Sequence, residues 1–282
     1  GIPVLALAAA VLVVPMVVAL YIRSRPVLQD QSLLSLLLSV EWRPLQGKFG
    51  MLSFLAGTVY VTLLAMVVAV PVSVLSAVYL SEYAHKVVRN ALLPMIDLLS
   101  GIPSVIYGVW GILVIVPAVG KLAKSMGIYS SGYSLLSGAL VLAVMVCPFI
   151  IHISREVLSA VPYGIREASL SLGATQWQTV KHAVLRKALP GIVAAVVLGL
   201  ARALGETIAV LMVVGNVPLV PHSLFDPAYP LPALLANNYG EMMSIPLYDS
   251  ALLFSALVLL VVVLCFNLLA KLVLNLMQKE SA

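Results

Sequence analysis

Two charged residues, Arg202 and Glu206, stand inside one of the most apolar stretches of the chain, LGLARALGETIAVLMVVGN. Four residues apart, they share one face if the stretch is a single helix. A charge near the centre of a bilayer costs roughly 2.5–3.5 kcal/mol on insertion scales, so such residues pair, face a bundle interior or mark a pathway. The planar fork of arginine offers parallel donors to phosphate or carboxylate. The chemistry this spacing suggests is transient binding of an oxyanion, with Glu206 holding Arg202 in place when no anion is present. A purely structural ion pair is the competing reading.

A second constellation lies in REASLSLGATQWQTVKHAVL, from Arg166 to Leu185, a polar island of about 20 residues in a chain that is 62% hydrophobic. Pro162 suits a first helical turn, where its missing N–H costs nothing. Ile165, Ala168, Ser169 and Leu172 then recur at helical spacing, and Gly173 falls where a left-handed cap is wanted. Thr175 and Gln178 form a capping box that opens a second short helix, with Trp177, Val180 and Val184 on one face. The spacing therefore predicts helix, glycine break, helix. It reads either as an amphipathic element resting on headgroups or as a lever that transmits a partner's motion to the flanking spans.

Other reactive side chains form no constellation. His85, His152, His182 and His222 are far apart on different elements, and Cys147 and Cys265 sit singly in apolar runs. That pattern offers no metal site or catalytic triad and argues against an enzyme.

These residues must be positioned by membrane spans. A mean hydropathy of +1.11 with 10% charged residues is that of an integral membrane protein. The net charge of +5 resides mainly in Lys and Arg flanking apolar runs, which makes it a topology signal and not a nucleic-acid surface. Six runs are long enough to cross: about 2–22, 54–80, 91–119, 134–157, 189–216 and 248–276. The expected fold is an all-α integral membrane protein with about six transmembrane helices. The first run reads as an uncleaved span.

Gly101, Pro103, Gly108, Gly111 and Pro117 interrupt the third run, and Pro148 the fourth. Such breaks are tolerated where protein or a water-filled cavity satisfies the backbone, which places Gly101, Pro103 and Ser104 beside a pathway. The 155–187 connection carries Arg155, Arg166, Lys181, Arg186 and Lys187, whereas the 217–247 connection carries no basic residue. The positive-inside rule puts the first in the cytoplasm, and six spans then leave both ends cytoplasmic. The 23–53 connection, with Arg23, Arg25, Arg43 and Lys48, runs against the rule. The proline-rich 217–247 connection reads as a shaped outer surface, either an inert loop or a docking site. The whole is one transmembrane domain, 1–282, with a core of 50–276, a cytoplasmic segment of 158–188 and outer loops of 23–53 and 217–247.

Glu167-Ala168-Ser169, three residues, then Gly173 resembles the coupling loop of binding-protein-dependent ABC importer permeases, whose usual form is Glu-Ala-Ala, three residues, Gly, nine residues, Ile, one residue, Leu-Pro. Ser169, Ala183 and Arg186 depart from it, and Arg186 stands where Pro is usual. Gly205-Glu206-Thr207, the stretch Gly101 to Gly108, and Tyr79 to Ala84 are similar to the phosphate-specific permeases of that family. Trp42-Arg43-Pro44 and Gly47-Lys48-Phe49-Gly50, with the long loop after Asn216, resemble the PstC-type subunit more than its PstA-type companion.

The resemblance implies a type I ABC importer permease fold in the cytoplasmic (inner) membrane of a prokaryote. It implies a PstA-type permease as heterodimer partner, a cytoplasmic ATPase dimer, an external phosphate-binding protein and surrounding membrane lipid. Arg166, Glu167, Ala168, Leu172, Gly173, Ala174 and Thr175 would couple to the ATPase, and Arg202 and Glu206 would lie in the path or its gate. The chain has no G-x-x-x-x-G-K-[ST] loop, so it is expected to bind no cofactor itself, ATP being used by the partner ATPase. Rival readings are a proton-coupled anion transporter using Glu206, a permease for a related oxyanion, and a non-transporting scaffold. The first predicts flux without ATP, and the last predicts none.

Overall fold

The computed structural model describes the backbone of residues 2–241 and 245–280 and the side-chain surroundings of residues 14–241 and 245–272. In hydrocarbon a chain can pair its N–H and C=O groups only within a helix or a closed barrel, so the apolar runs become helices. In chain order these are α1 (Ile2–Asp30), α2 (Leu33–Leu38), α3 (Leu52–Val78), α4 (Lys86–Gly101), α5 (Ser104–Trp110), α6 (Val116–Ser125), α7 (Leu135–Ser159), α8 (Tyr163–Ser171), α9 (Gln176–Gln178), α10 (Leu185–Leu204), α11 (Ile208–Leu211), α12 (Leu231–Asn238) and α13 (Tyr248–Glu280). Wider π turns join α5 to α6 and α9 to α10, and another extends α3 to Tyr83. A two-residue hairpin, β1 (Trp42–Arg43) with β2 (Lys48–Phe49), pairs Trp42 with Phe49.

Five continuous helices among the described residues are long and apolar enough to cross a membrane: Leu52–Tyr83, Ser104–Ser125, Leu135–Ser159, Gln176–Leu204 and Tyr248–Leu272. The first expected span, 2–22, falls within α1, and the side chains of residues 2–13 lie outside the described set.

Two spans differ from the sequence-based expectation. The third is not one run over 91–119: α4 ends at Gly101, and the apolar crossing helix begins at Ser104. Pro103 has no N–H to donate and disfavours the helical region for Ile102, which is extended at φ −66°, ψ 130°. The Tyr107 hydroxyl donates to Leu99 O at 2.7 Å and pins the two helices across the break. The fifth is not 189–216: its helix starts at Gln176 and stops at Leu204, because Gly205 and Thr207 leave regular helical geometry before α11 begins. Arg186 leaves this helix unbroken.

The centre of the bundle is α7, which packs along α3, α10 and α4. Small residues let the backbones approach. A Cβ added at Gly199 on α10 would lie 2.6 Å from Ile150 Cγ1, and one at Gly191 would meet the Val157 side chain. Ser73 Oγ on α3 donates to Cys147 O on α7 at 3.2 Å.

Among its described residues the 217–247 connection is part exposed and part packed into the bundle. Ala228, Leu231, Ala233 and Leu234 are buried. Ala228 N–H donates to Val214 O at 3.0 Å, and Leu231 N–H donates to Thr58 Oγ1 at 2.8 Å. Its carbonyls also serve the start of α7, where Leu135 N–H donates to Asp226 O at 2.8 Å. Here proline, lacking a donor, suits a segment that must be buried without a regular ladder. At the same end, Trp42 packs edge-on against Phe49 and Phe54, with ring centroids at 5.6 and 5.0 Å.

Candidate functional site

The polar island folds as its spacing predicts up to Trp177. Helix α8 ends in a left-handed glycine cap. Gly173 has φ +82°, its N–H donates to Leu170 O at 2.9 Å, and Ala174 N–H donates to Ser169 O at 3.3 Å. The capping box closes in both directions: Gln178 N–H donates to Thr175 Oγ1 at 3.3 Å, and Thr175 N–H to Gln178 Oε1 at 2.8 Å.

Beyond this point the second helix is not short; it runs directly into α10. The π turn at Thr179–Val184 shifts the helical phase. Val180 and Val184 are therefore buried against Leu158 and Val161, whereas Trp177 is 60% exposed and does not share their face.

What holds α8 in place is an ion pair. Arg166 Nη2 donates to Glu82 Oε1 at 2.7 Å, and Arg166 Nε donates to Glu82 Oε2 at 3.1 Å, a two-point grip on the end of α3. The remaining donors reach Val161 O at 2.7 Å and Leu158 O at 3.1 Å. The Glu82 side chain is 8% exposed and that of Arg166 16%, so both charges are largely withdrawn from water. Its hydrogen bonds to the Glu82 carboxylate, opposed by partial burial, hold the Arg166 guanidinium above its ordinary pKa.

Gln176 Nε2 adds a bond to Glu82 O at 2.9 Å, and Ser169 and Thr179 hydroxyls meet at 2.9 Å. Beside these residues lies a cleft of about 800 Å³ lined in part by Ser81, Pro162 and Tyr163. Glu82 was given no role from the sequence, although it lies in the Tyr79–Ala84 stretch that carries part of the resemblance, as a lone acid at the end of an apolar run.

On the outward side of this clamp, Glu167, Ala168, Leu172, Gly173 and Thr175 are exposed, Ala174 less so. Leu172 is 89% exposed and Tyr163 70%. An acid thus sits among exposed large apolar side chains on a helix pair tied to the end of α3 by Arg166 and Gln176.

The second group lies about halfway along α7. Arg202, in the last turn of α10, places its guanidinium 5.2 Å from the Phe149 ring centroid. Phe149 is roughly 21 Å along α7 from Leu135. The expected pairing with Glu206 does not form, because the helix ends between them. Among the described residues the ion pairs are Lys48–Glu41, His152–Asp97 and Arg166–Glu82. Glu206 Oε1 instead accepts from Ala209 N–H at 3.2 Å, satisfying a free donor at the start of α11. Among the described residues Arg202 thus presents a guanidinium without a carboxylate partner, level with the middle of α7 and at a helix terminus whose carbonyls favour a cation.

Gly101, Pro103 and Ser104 form the break between α4 and α5, and a groove of about 640 Å³ runs beside Gly101 and Pro103. Gly101 has open space around its Cα. The two halves of the sequence-based site are therefore separate: Arg166 to Thr175 at the α8 end, and Arg202 with Glu206 at mid-depth.

The family described as "binding-protein-dependent transport system inner membrane component" matches residues 69–279. Among curated relatives, a phosphate transport system permease protein PstC of Xylella fastidiosa is 38% identical over 273 residues, covering 91% of this chain and 83% of its own. A probable ABC transporter permease protein, YqgH, of Bacillus subtilis is 40% identical over 237 residues, 83% of this chain and 75% of its own. Among solved structures, an inward-facing MetNI methionine ABC transporter superposes with a TM-score of 0.59 at 23% identity, covering 81% of this chain and 94% of that one. A bacterial ABC transporter that imports alginate gives 0.56 at 18% identity, covering 78% of each chain. The structures share the fold.

Proposed function

The chain belongs to the family of binding-protein-dependent transport system inner membrane components, and from that premise we propose that it is the permease subunit of an ATP-driven importer passing inorganic phosphate inward. The observation that carries the reading is the Glu82–Arg166 clamp. It fixes an exposed helix–glycine–helix to the ends of two spans, which is the mechanical requirement for a chain driven by a separate engine.

In this reading the α8 end faces the cytoplasm, both chain ends lie on that side, and an ATPase dimer docks on Glu167, Leu172 and their neighbours. A PstA-type permease completes the pathway, and an external phosphate-binding protein delivers the anion. ATP binding closes the ATPase dimer and moves α8. The clamp passes that motion to α3, and the continuous helix from Gln176 passes it to the level of Arg202.

The substrate step is electrostatic. Arg202 offers parallel N–H donors to phosphate oxygens where water is scarce. Glu206, occupied with the Ala209 N–H, leaves that guanidinium available. The glycine–proline break at Gly101–Ser104 supplies a hinge beside the path. Selectivity rests mainly with the binding protein.

The test is phosphate uptake by proteoliposomes holding this chain with its companion permease and ATPase, with binding protein outside and ATP inside. Uptake is expected only with ATP, and Glu167→Lys is expected to abolish it in a complex that still assembles. Uptake driven by a proton gradient without ATP would overturn the proposal.

A further inference from the structure

Besides Lys48–Glu41 near the β hairpin, one pair of titratable side chains lies outside both groups described above. His152 on α7 and Asp97 on α4 meet with Nδ1 and Oδ1 3.2 Å apart. Their side chains are 50% and 57% exposed, and these values matter because of where the residues lie. His152 is roughly 10 Å inside the α8 end of α7. Polar side chains open to their surroundings at that depth do not face hydrocarbon; they face water or polar protein.

Two further observations set them on a line with Arg202. His152 stands about one helical turn towards the α8 end from Phe149, the ring that carries the Arg202 guanidinium. Asp97 lines the 640 Å³ groove with Pro94, Leu98, Gly101, Ile102 and Pro103. Arg202 over Phe149, then His152 with Asp97, thus follow one another towards the α8 end, beside the break between α4 and α5.

The chemistry suits an anion. Nδ1 of the imidazole faces the Asp97 carboxylate, which leaves Nε2 for another partner. In the charged imidazolium Nε2–H is a donor to an oxyanion, and the nearby carboxylate then repels that anion.

We propose that His152 and Asp97 form an inner station of the anion path. His152 receives the oxyanion released from Arg202, while Asp97 holds the imidazole when the station is empty and speeds the anion's exit when it is full. This inference rests on the reading that the chain passes phosphate.

The test is labelling of His152→Cys in the assembled transporter, with Cys147→Ala also present. A membrane-impermeant anionic thiol reagent is applied from the α8 side. Native Cys265, exposed on α13 beside Leu264 and Leu268, serves as the control for a thiol on an apolar face. Modification about tenfold faster than at Cys265 is expected, because reaction needs a hydrated thiolate. At Asp97→Cys, where His152 remains to hold the anion, saturating inorganic phosphate should slow modification to below about a third, since an occupied site excludes the reagent.

Labelling of both His152→Cys and Asp97→Cys no faster than Cys265, or labelling of Asp97→Cys indifferent to every oxyanion tried, would overturn the proposal. Protection by sulfate but not phosphate would support the station while sinking phosphate as the substrate. ATP-driven uptake by the unsubstituted complex tests that reading separately.

Discussion

Removing the charge on Glu82 should uncouple the engine from the pathway. In Glu82→Gln the amide can still accept one hydrogen bond from Arg166 but loses the two-point ionic grip. Stripping one partner from a fully buried pair costs about 3–5 kcal/mol. Here the stranded guanidinium keeps the carbonyls of Val161 and Leu158 and is 16% exposed, which brings the expected loss to about 2 kcal/mol. That corresponds to roughly a 30-fold change in the population of the clamped arrangement.

The assay is phosphate moved per ATP hydrolysed in proteoliposomes. Glu82→Gln should lower that ratio by an order of magnitude while hydrolysis continues. Arg166→Gln should do the same, and the double variant should be little worse than either single one, because both remove one interaction. Additive losses, or a ratio unchanged in Glu82→Gln, would refute the reasoning.

The sign of the pH dependence follows from the raised Arg166 pKa. A cation whose folded pKa is raised contributes stability that is complete below its unfolded pKa. That contribution is lost only as pH climbs through the folded value, far into alkali. Arg166 should therefore introduce no change in coupling between about pH 6 and 8.

Other substitutions probe separate parts. Gly173→Ala has room for its methyl but must hold φ +82°; it should cost about 1–2 kcal/mol at the cap and weaken ATPase docking in a pull-down. Arg202→Gln keeps hydrogen-bonding capacity without charge and should reduce uptake at least about tenfold in a complex destabilised by no more than about 1 kcal/mol, the worth of its contact with Phe149, since the guanidinium forms no ion pair among the described residues. Tyr107→Phe removes the bond to Leu99 O and should lower stability by about 1 kcal/mol, measured by thermal unfolding in detergent, through loosening of the α4–α5 break.

Much of the architecture is written locally. Apolar length specifies spans because hydrocarbon leaves backbone groups no partner but their own helix. The cap at Gly173 and the box at Thr175–Gln178 depend on residues within one turn, so they are legible in the chain. The same locality places the α4–α5 break at Pro103, although reading 91–119 as one crossing overrode that signal.

Tertiary structure decided the rest. Glu82 lies 84 positions from Arg166, and only the packing of α3 beside α8 brings carboxylate to guanidinium. Arg202 and Glu206 are four apart in sequence, yet the helix ends between them, so spacing suggested a pair that the fold separates. The proline-rich 217–247 connection found its partners in Thr58, Val214 and the start of α7. Local rules set which segments are helices and where they stop. Which charges meet is set by the close approach of helices, and that depends on the summed shape of side chains far apart in the chain.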